Sequence, residues 1–186
     1  MGATAADLQA LVEGHEPSSP REAAAKERFL EQLSGLSAPC DEHADPTHVT
    51  ASGIVVGPRG TVLHLHKRLG IWMQPGGHID PGETPDVAAR REATEELGLV
   101  VEHPASGSLL LHLDVHDAAL GHTHLDLRYL LITGDVDPQP PPDESPDARW
   151  CSWDEATAMA DAALVDALPL ARDAYEAGDP ARRSGV

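Results

Sequence analysis

The sequence predicts an α/β or α+β sandwich, with helices packed on a curved sheet and a helical extension ahead of it. Three features predict it: apolar residues at helical spacing before residue 45, two-residue alternation from His48 onward, and one sharply delimited helix among the strands.

Residues 5–12 place Leu8, Leu11 and Val12 at helical intervals. Ser18, Ser19 and Pro20 supply a capping serine and a proline at a first helical position. Residues 23–36 then continue as helix, with Leu30, Leu33 and Leu36 as its apolar stripe. That much apolar surface is expected to bury, against the rest of the chain or against a second copy in a homodimer. Residues 1–44 are therefore expected as a helical extension, 45–178 as the main domain and 179–186 as a C-terminal tail. Strands are expected over 49–56 and 61–66, around the turn Gly57-Pro58-Arg59-Gly60, and again over 108–116 and 122–133. Residues 138–147 are rich in proline and acid and read as a surface loop. Residues 150–153 read as a last short strand, with helix from Asp154.

The chain carries 31 acidic against 13 Lys and Arg residues, a formal charge of −18. Such a surface repels a phosphate backbone, which argues against bulk nucleic-acid binding. There is no basic amphipathic run for a membrane surface and no apolar stretch of ~20 residues to span one. Two cysteines, Cys40 and Cys151, make neither a disulfide framework nor a multi-thiolate metal site. With no targeting segment in view, the expected compartment is the cytoplasm. An acidic protein still binds a small phosphorylated molecule when a divalent cation sits between them.

The chemistry concentrates in residues 77–99, GHIDPGETPDVAARREATEELGL. Thr84 as N-cap, Pro85 at the first position and Asp86 at the positive end of the dipole specify a helix start, and Gly98 specifies its end. Glu92, Glu95 and Glu96 stand at i, i+3 and i+4, so their carboxylates share one face. Three adjacent like charges call for a cation, and all-oxygen donors suit Mg²⁺ or Mn²⁺. Val87, Thr94 and Leu97 are expected on the opposite, buried side. Ala88 and Ala89 are expected to leave room for a ligand beside the glutamates. Taken alone, an ExxEE pattern is usually a solvated acidic face.

The same segment resembles the Nudix box, G-x5-E-x7-R-E-U-x-E-E-x-G-U, where U is a bulky aliphatic residue. Gly77, Glu83, Arg91, Glu92, Glu95, Glu96 and Gly98 fill its fixed positions and Leu99 its last U, while Ala93 is smaller than usual at the first. A chance match is on the order of 10⁻⁹ to 10⁻⁸ per starting point. The resemblance spans residues 48–156, with Trp72-Met73-Gln74-Pro75-Gly76-Gly77 like the family's lead-in and residues 150–155 like its closing strand. It implies an α/β/α sandwich with a mixed sheet. It further implies a metal-dependent hydrolase that cleaves a diphosphate bond in a nucleoside triphosphate, nucleotide sugar or dinucleotide. Carried onto this chain, Glu92, Glu95, Glu96 and the Gly77 carbonyl would be metal ligands, and Glu83 with Arg91 an ion pair bracing loop against helix. The general base would be a box glutamate or a residue of a later loop, where Asp143 and Glu144 stand. The rival reading is a Nudix-fold module that binds a nucleotide and regulates without catalysis, which would be expected to lose box glutamates. The isomerases of isopentenyl diphosphate share the fold, but their loop cysteine is replaced here by Pro75-Gly76.

The chain has eleven histidines, a high count, and several alternate along the strands. His64 and His66 share a face, as do His112, Asp114 and His116, and as do His122, His124, Asp126 and Arg128. They read as a cleft lining, as exposed strand faces, or as a zinc site without fixed spacing. In the first case His124, Asp126 and Arg128 would contact a phosphorylated substrate, with Asp126 accepting from base or ribose and Arg128 pairing with phosphate. Lys67 and Arg68 are the best-placed basic pair for a phosphate. Extra signatures of the NADH, ADP-ribose and dinucleoside-polyphosphate subtypes are missing, so the substrate is left open.

Overall fold

Strand β1 (Thr47–Gly57) is buried along almost its entire length, as a strand with sheet on both edges and helices on both faces must be. In this computed structural model, which describes residues 2–118 and 121–178, the rest of the chain is arranged around it. The expected tail at 179–186 lies outside the described residues. On one edge β1 runs parallel to β6 (Thr123–Ile132), from Thr47 opposite Thr123 to Val56 opposite Ile132. The other edge is divided between two antiparallel partners. β4 (Gly76–His78) pairs with the first half, Thr50 opposite His78, and β2 (Gly60–Leu65) with the second, Val55 opposite Val62. The sheet therefore opens between β4 and β2, where Gly53 N–H donates to the Pro75 carbonyl. β5 (Leu110–Asp117) pairs with β6, while β3 (Trp72–Met73) and β7 (Ala148–Cys151) both pair with β2, giving a mixed sheet.

Helices cover both faces, so the architecture is the expected α/β/α sandwich. On one face, α1 (Ala5–Gly14), α2 (Pro20–Leu33) and α3 (Pro85–Leu97) pack Leu8, Val12, Phe29, Ala88 and Ala89 against Val49, Ala51, Leu125 and Leu127. On the other, α4 (Trp153–Met159) and α5 (Ala162–Gly178) pack Leu164, Ala167 and Leu168 on Ile54, Val56, Leu63 and Leu130. Among the described residues no helix is long and apolar enough to cross a membrane.

The N-terminal helices bury their stripe on this chain's own sheet. Leu8 and Leu33 are buried, and Leu11, Leu30 and Leu36 are partly buried against the same cluster. α2 starts at Pro20, as the capping serine and first-position proline indicate, and ends three residues earlier than expected, at Leu33. Ser19 Oγ accepts from Glu22 N–H and starts the helix at Pro20, and Ser34 and Gly35 end it. Its deepest residue is Phe29, fully buried, rather than one of the leucines. Glu22 is buried too, and its Oε1 accepts from Leu113 N–H at 2.9 Å, which satisfies a donor of the outer strand β5.

The buried side of α3 meets the expectation only at Leu97, which is fully buried. Val87 is 41% exposed and Thr94 is exposed, while Ala88, Ala89 and Ala93 are fully buried. The alanines make no room for a ligand; they let the helix lie close on the sheet. At Gly53, beneath the helix, a Cβ would come 2.3 Å from Leu131 Cδ1 and 3.5 Å from the Ala89 carbonyl oxygen. The strand expected over 150–153 is also displaced. Ser152 and Glu155 form a capping box that starts α4 at Trp153, so β7 ends at Cys151.

Phe29→Ala is expected to cost about 3–5 kcal/mol of unfolding free energy, because it empties a site shared by α2 and the sheet. Urea denaturation measures it, and a loss below ~1 kcal/mol would show that the helices do not belong to the core.

Candidate active site

α3 carries its three glutamates on the flank of its buried face. Ala88, Glu92 and Glu96 follow one another at four-residue spacing, so Glu92 and Glu96 are only 18% and 16% exposed at the side chain, against 56% for Glu95. Burial, the neighbouring carboxylates Glu92 and Glu95 and the loop residue Glu144 push the Glu96 carboxyl up to about 8, against the Gly76 N–H bond that lowers it. Burial raises Glu92 as well, with Glu95 and Asp80 adding to it and Arg91 opposing.

What holds these like charges together is Arg91. Its Nε and Nη2 donate to the Glu83 carboxylate at 3.0 Å each, a two-pronged bond that lowers Glu83. Nη1 donates to Glu92 Oε1 at 2.9 Å and Glu95 Oε2 at 3.1 Å, and Nη2 also reaches the His78 carbonyl at 3.0 Å. One guanidinium thus ties the loop before α3 to two carboxylates on the helix. Thr84 sits at the N-cap, but its hydroxyl donates to Asp86 at 2.6 Å and makes no cap bond.

Glu96 faces β4, where Gly76 N–H donates to its Oε2 at 2.9 Å. Glu92 lies against Gly77: a Cβ there would sit 2.6 Å from Glu92 Oε1. At Gly77 the Glu92 carboxylate occupies the space a side chain would fill, and at Gly76 that space is taken by Ser52 of β1, whose Cβ would lie 2.4 Å from an added Cβ. The proline-rich loop is pinned over the end of α3 by a bond from Gln139 N–H to the Leu97 carbonyl at 2.9 Å. Gly98, with φ of 61°, permits that crossing, since a Cβ there would fall 1.9 Å from the Gln139 oxygen. Ser145 Oγ donates to Leu65 O at 2.6 Å and Lys67 Nζ to Asp143 O, which brings Glu144 into the electrostatic reach of Glu96.

Gly76 and Gly77 also form part of the floor of a recess of about 410 Å³. Its walls include Thr50 and Ser52 of β1, His64 of β2, Gln74, His124 and Asp126 of β6, and Arg68 at the rim. The alternation that buries Ile54, Val56 and Leu130 under α4 and α5 continues along the same face as His48, Thr50, Ser52, His124 and Asp126. The C-terminal helices therefore cover an apolar half of this face, and the recess occupies the polar half. His64 Nε2 stands 3.8 Å from Glu96 Oε2, and burial, helped by His66, holds that imidazole down to about 4.

Of the substrate residues expected from sequence, Arg68, His124 and Asp126 line the recess, and Arg128 does not. Arg128 is 2% exposed and donates from Nε to Asp126 at 3.1 Å and from Nη2 to Asp114 at 3.0 Å. Asp126 also accepts from Thr50 Oγ1 and Ser52 Oγ, at 3.1 and 2.8 Å. Thr50, Ser52 and Gln74 were not singled out from sequence, although polar His48, Thr50 and Ser52 alternate there with Val49 and Ala51.

The donors at α3 are all oxygens, they repel one another, and glycine backbone lies beside them. That set fits a hard divalent cation, with Glu92, Glu95, Glu96 and the Gly77 carbonyl as the residues that would hold it.

Asp114 is held down at about 2, because its bond from His116 and the Arg128 charge outweigh the effect of burial. A depressed carboxylate stabilises the fold above its unfolded pKa and loses that contribution as pH falls through its folded value. Melting temperature is therefore expected to fall as pH drops from 3.8 toward about 2. Asp114→Asn is expected to flatten part of that fall and to cost ~3 kcal/mol at neutral pH by leaving Arg128 underpaired. An unaltered pH profile in the variant would contradict the assignment.

Residues 46–172 match the NUDIX domain family. The chain is 31% identical over 111 residues to the asymmetrical bis(5'-nucleosyl)-tetraphosphatase of Caenorhabditis elegans, covering 58% of this chain and 77% of that protein. It is 36% identical over 69 residues to a MutT-like protein of Streptomyces ambofaciens, covering 36% of this chain and 45% of the relative, less than half of its length. Among solved structures, a NUDIX-family hydrolase from Clostridium perfringens superposes with a TM-score of 0.57 at 29% identity, over 71% of this chain and 98% of that one. The family match takes in β1, the box helix and every wall of the recess, and the chain belongs to the NUDIX family.

Proposed function

We propose that the protein is a pyrophosphohydrolase that cleaves a diphosphate bond in a nucleotide-like substrate, with Mg²⁺ or Mn²⁺ held by Glu92, Glu95, Glu96 and the Gly77 carbonyl. The observation that carries this reading is the packing of two part-buried carboxylates, Glu92 and Glu96, against the glycine floor of a polar recess, with Glu95 exposed beside them on Arg91. When bound, a divalent cation supplies neutralising charge for the phosphates and makes water a better acid.

The chain's own residues position the substrate and accept a proton. Arg91 keeps Glu92 and Glu95 in place and fixes the loop through Glu83. Arg68 at the rim is placed to pair with a phosphate oxygen, and His124 on the wall to meet base or sugar. Arg128, buried behind that wall, orients Asp126. A box glutamate or Glu144 accepts the proton of the attacking water, Glu144 being carried close by the pinned loop. The substrate class is nucleoside triphosphates, nucleotide sugars and dinucleotides, in keeping with the tetraphosphatase name of the nematode relative. The compartment proposed for the reaction is the cytoplasm.

With Mg²⁺ or Mn²⁺ present, the protein is expected to release phosphate products from at least one member of such a panel, and chelation is expected to abolish release. Glu95→Gln and Glu96→Gln should each lower kcat by roughly 100-fold or more while the fold survives. Full activity in both variants would sink the assignment.

Arg68→Ala should instead raise KM with little change in kcat, since a rim contact made equally in ground and transition states adds only binding. A kcat loss as large as that of the glutamate variants would move Arg68 into the chemistry.

A further inference from the structure

Beyond the recess, the same polar sheet face brings three histidines together where the strands β4, β1 and β6 lie side by side. His48 stands opposite His124 in the parallel register, and His78 stands opposite Thr50, one same-face step along β1. The His48 ring centroid is 5.0 Å from those of both His78 and His124, and the latter two are 5.7 Å apart. One nitrogen from each ring lies within 4.8 Å of the other two.

Ring packing alone leaves a polar atom unexplained. His48 is fully buried, and among the described residues its Nε2 has no hydrogen-bond partner. Its Nδ1 faces the Asp45 carbonyl oxygen at 3.4 Å, an arrangement that puts the proton on Nδ1 and the lone pair on Nε2. His78 repeats the pattern, with Nδ1 3.2 Å from Glu42 Oε2. Carbonyl and carboxylate partners of this kind orient imidazoles that bind metal through their other nitrogen.

We propose that His48, His78 and His124 form a site for a divalent transition metal of the zinc type, separate from the carboxylates of α3. Three imidazole nitrogens select Zn²⁺ over Mg²⁺, which prefers oxygen. Tetrahedral zinc with bonds of about 2.0–2.1 Å needs nitrogens about 3.3 Å apart, a distance that small ring rotations reach from the present spacing. His122, its centroid 5.2 Å from that of His48, is the candidate fourth ligand. His116, its ring centroid 5.3 Å from that of His124, lies outside the group of nitrogens within 4.8 Å of one another. An ion here ties β4, β1 and β6 together directly after the Gly76-Gly77 floor, and it does so whether or not the chain is a hydrolase.

The test uses the full chain freed of metal, titrated with ZnCl₂ by calorimetry and with CoCl₂ by visible absorption. One equivalent of Zn²⁺ is expected to bind, and Co²⁺ to give the intense visible bands of a four-coordinate nitrogen site. His78→Ala and His124→Ala should each weaken zinc binding by about 100-fold or more. Glu96→Gln and the exposed control His43→Ala should leave it unchanged. His78 is half-exposed, so its removal tests the site even where a change at buried His48 unfolds the protein. Absence of stoichiometric zinc, unchanged affinity in both histidine variants, or loss of binding in Glu96→Gln would overturn the proposal.

Discussion

Three carboxylates on adjacent turns of one helix repel each other, and the fold is arranged so that they nevertheless stay together. Arg91 supplies the compensating charge, bonded at once to Glu83, Glu92, Glu95 and the His78 carbonyl. Ala88, Ala89 and Ala93 bring α3 down close over Gly53, which pushes Glu92 and Glu96 against the glycines of β4. Each constraint needs the other. Larger side chains on the buried face would lift the helix away, and without Arg91 the loop and the carboxylates would part.

The sheet serves the same end. β1 changes partner from β4 to β2 halfway along one edge, and the opening between them is where Ser52, Gln74, His64 and Glu96 converge. On the face away from α3, α4 and α5 cover only the apolar half, and the polar half becomes the recess and the histidine cluster. The proline-rich loop crosses the end of α3, anchored by Gln139 on Leu97. Catalytic geometry of this kind rests on regular elements and on short bonds between loop and helix, so it is held before any ligand arrives.

Much of this was legible in the chain itself. The helix Pro85–Leu97 was read to the residue because Pro85 and Gly98 punctuate both ends. The long strands were read within a few residues because two-residue alternation survives over their length. β3 and β4, of two and three residues, are too short to alternate visibly. The buried side of α3 was misread because hydrophobicity pointed to Val87, whereas close approach to the sheet selects small residues whatever their hydropathy. Arg128 on its strand had the right face for the recess, but one-dimensional periodicity does not reveal that Asp114 comes from β5 to pair with it. The His48–His78–His124 grouping was out of reach for the same reason, since it depends on the registers among three strands.

The measurement closest to the central claim is Mn²⁺ binding, followed by electron paramagnetic resonance, in the wild type and in Glu92→Gln and Gly77→Ala. The wild type should bind the ion. Glu92→Gln removes a ligand charge, and the methyl of Gly77→Ala would sit 2.6 Å from Glu92 Oε1 and displace that carboxylate. Both variants should lose affinity by roughly tenfold or more while remaining folded. Undiminished Mn²⁺ affinity in both would contradict the account, because the carboxylate cluster would then have no part in holding the cation.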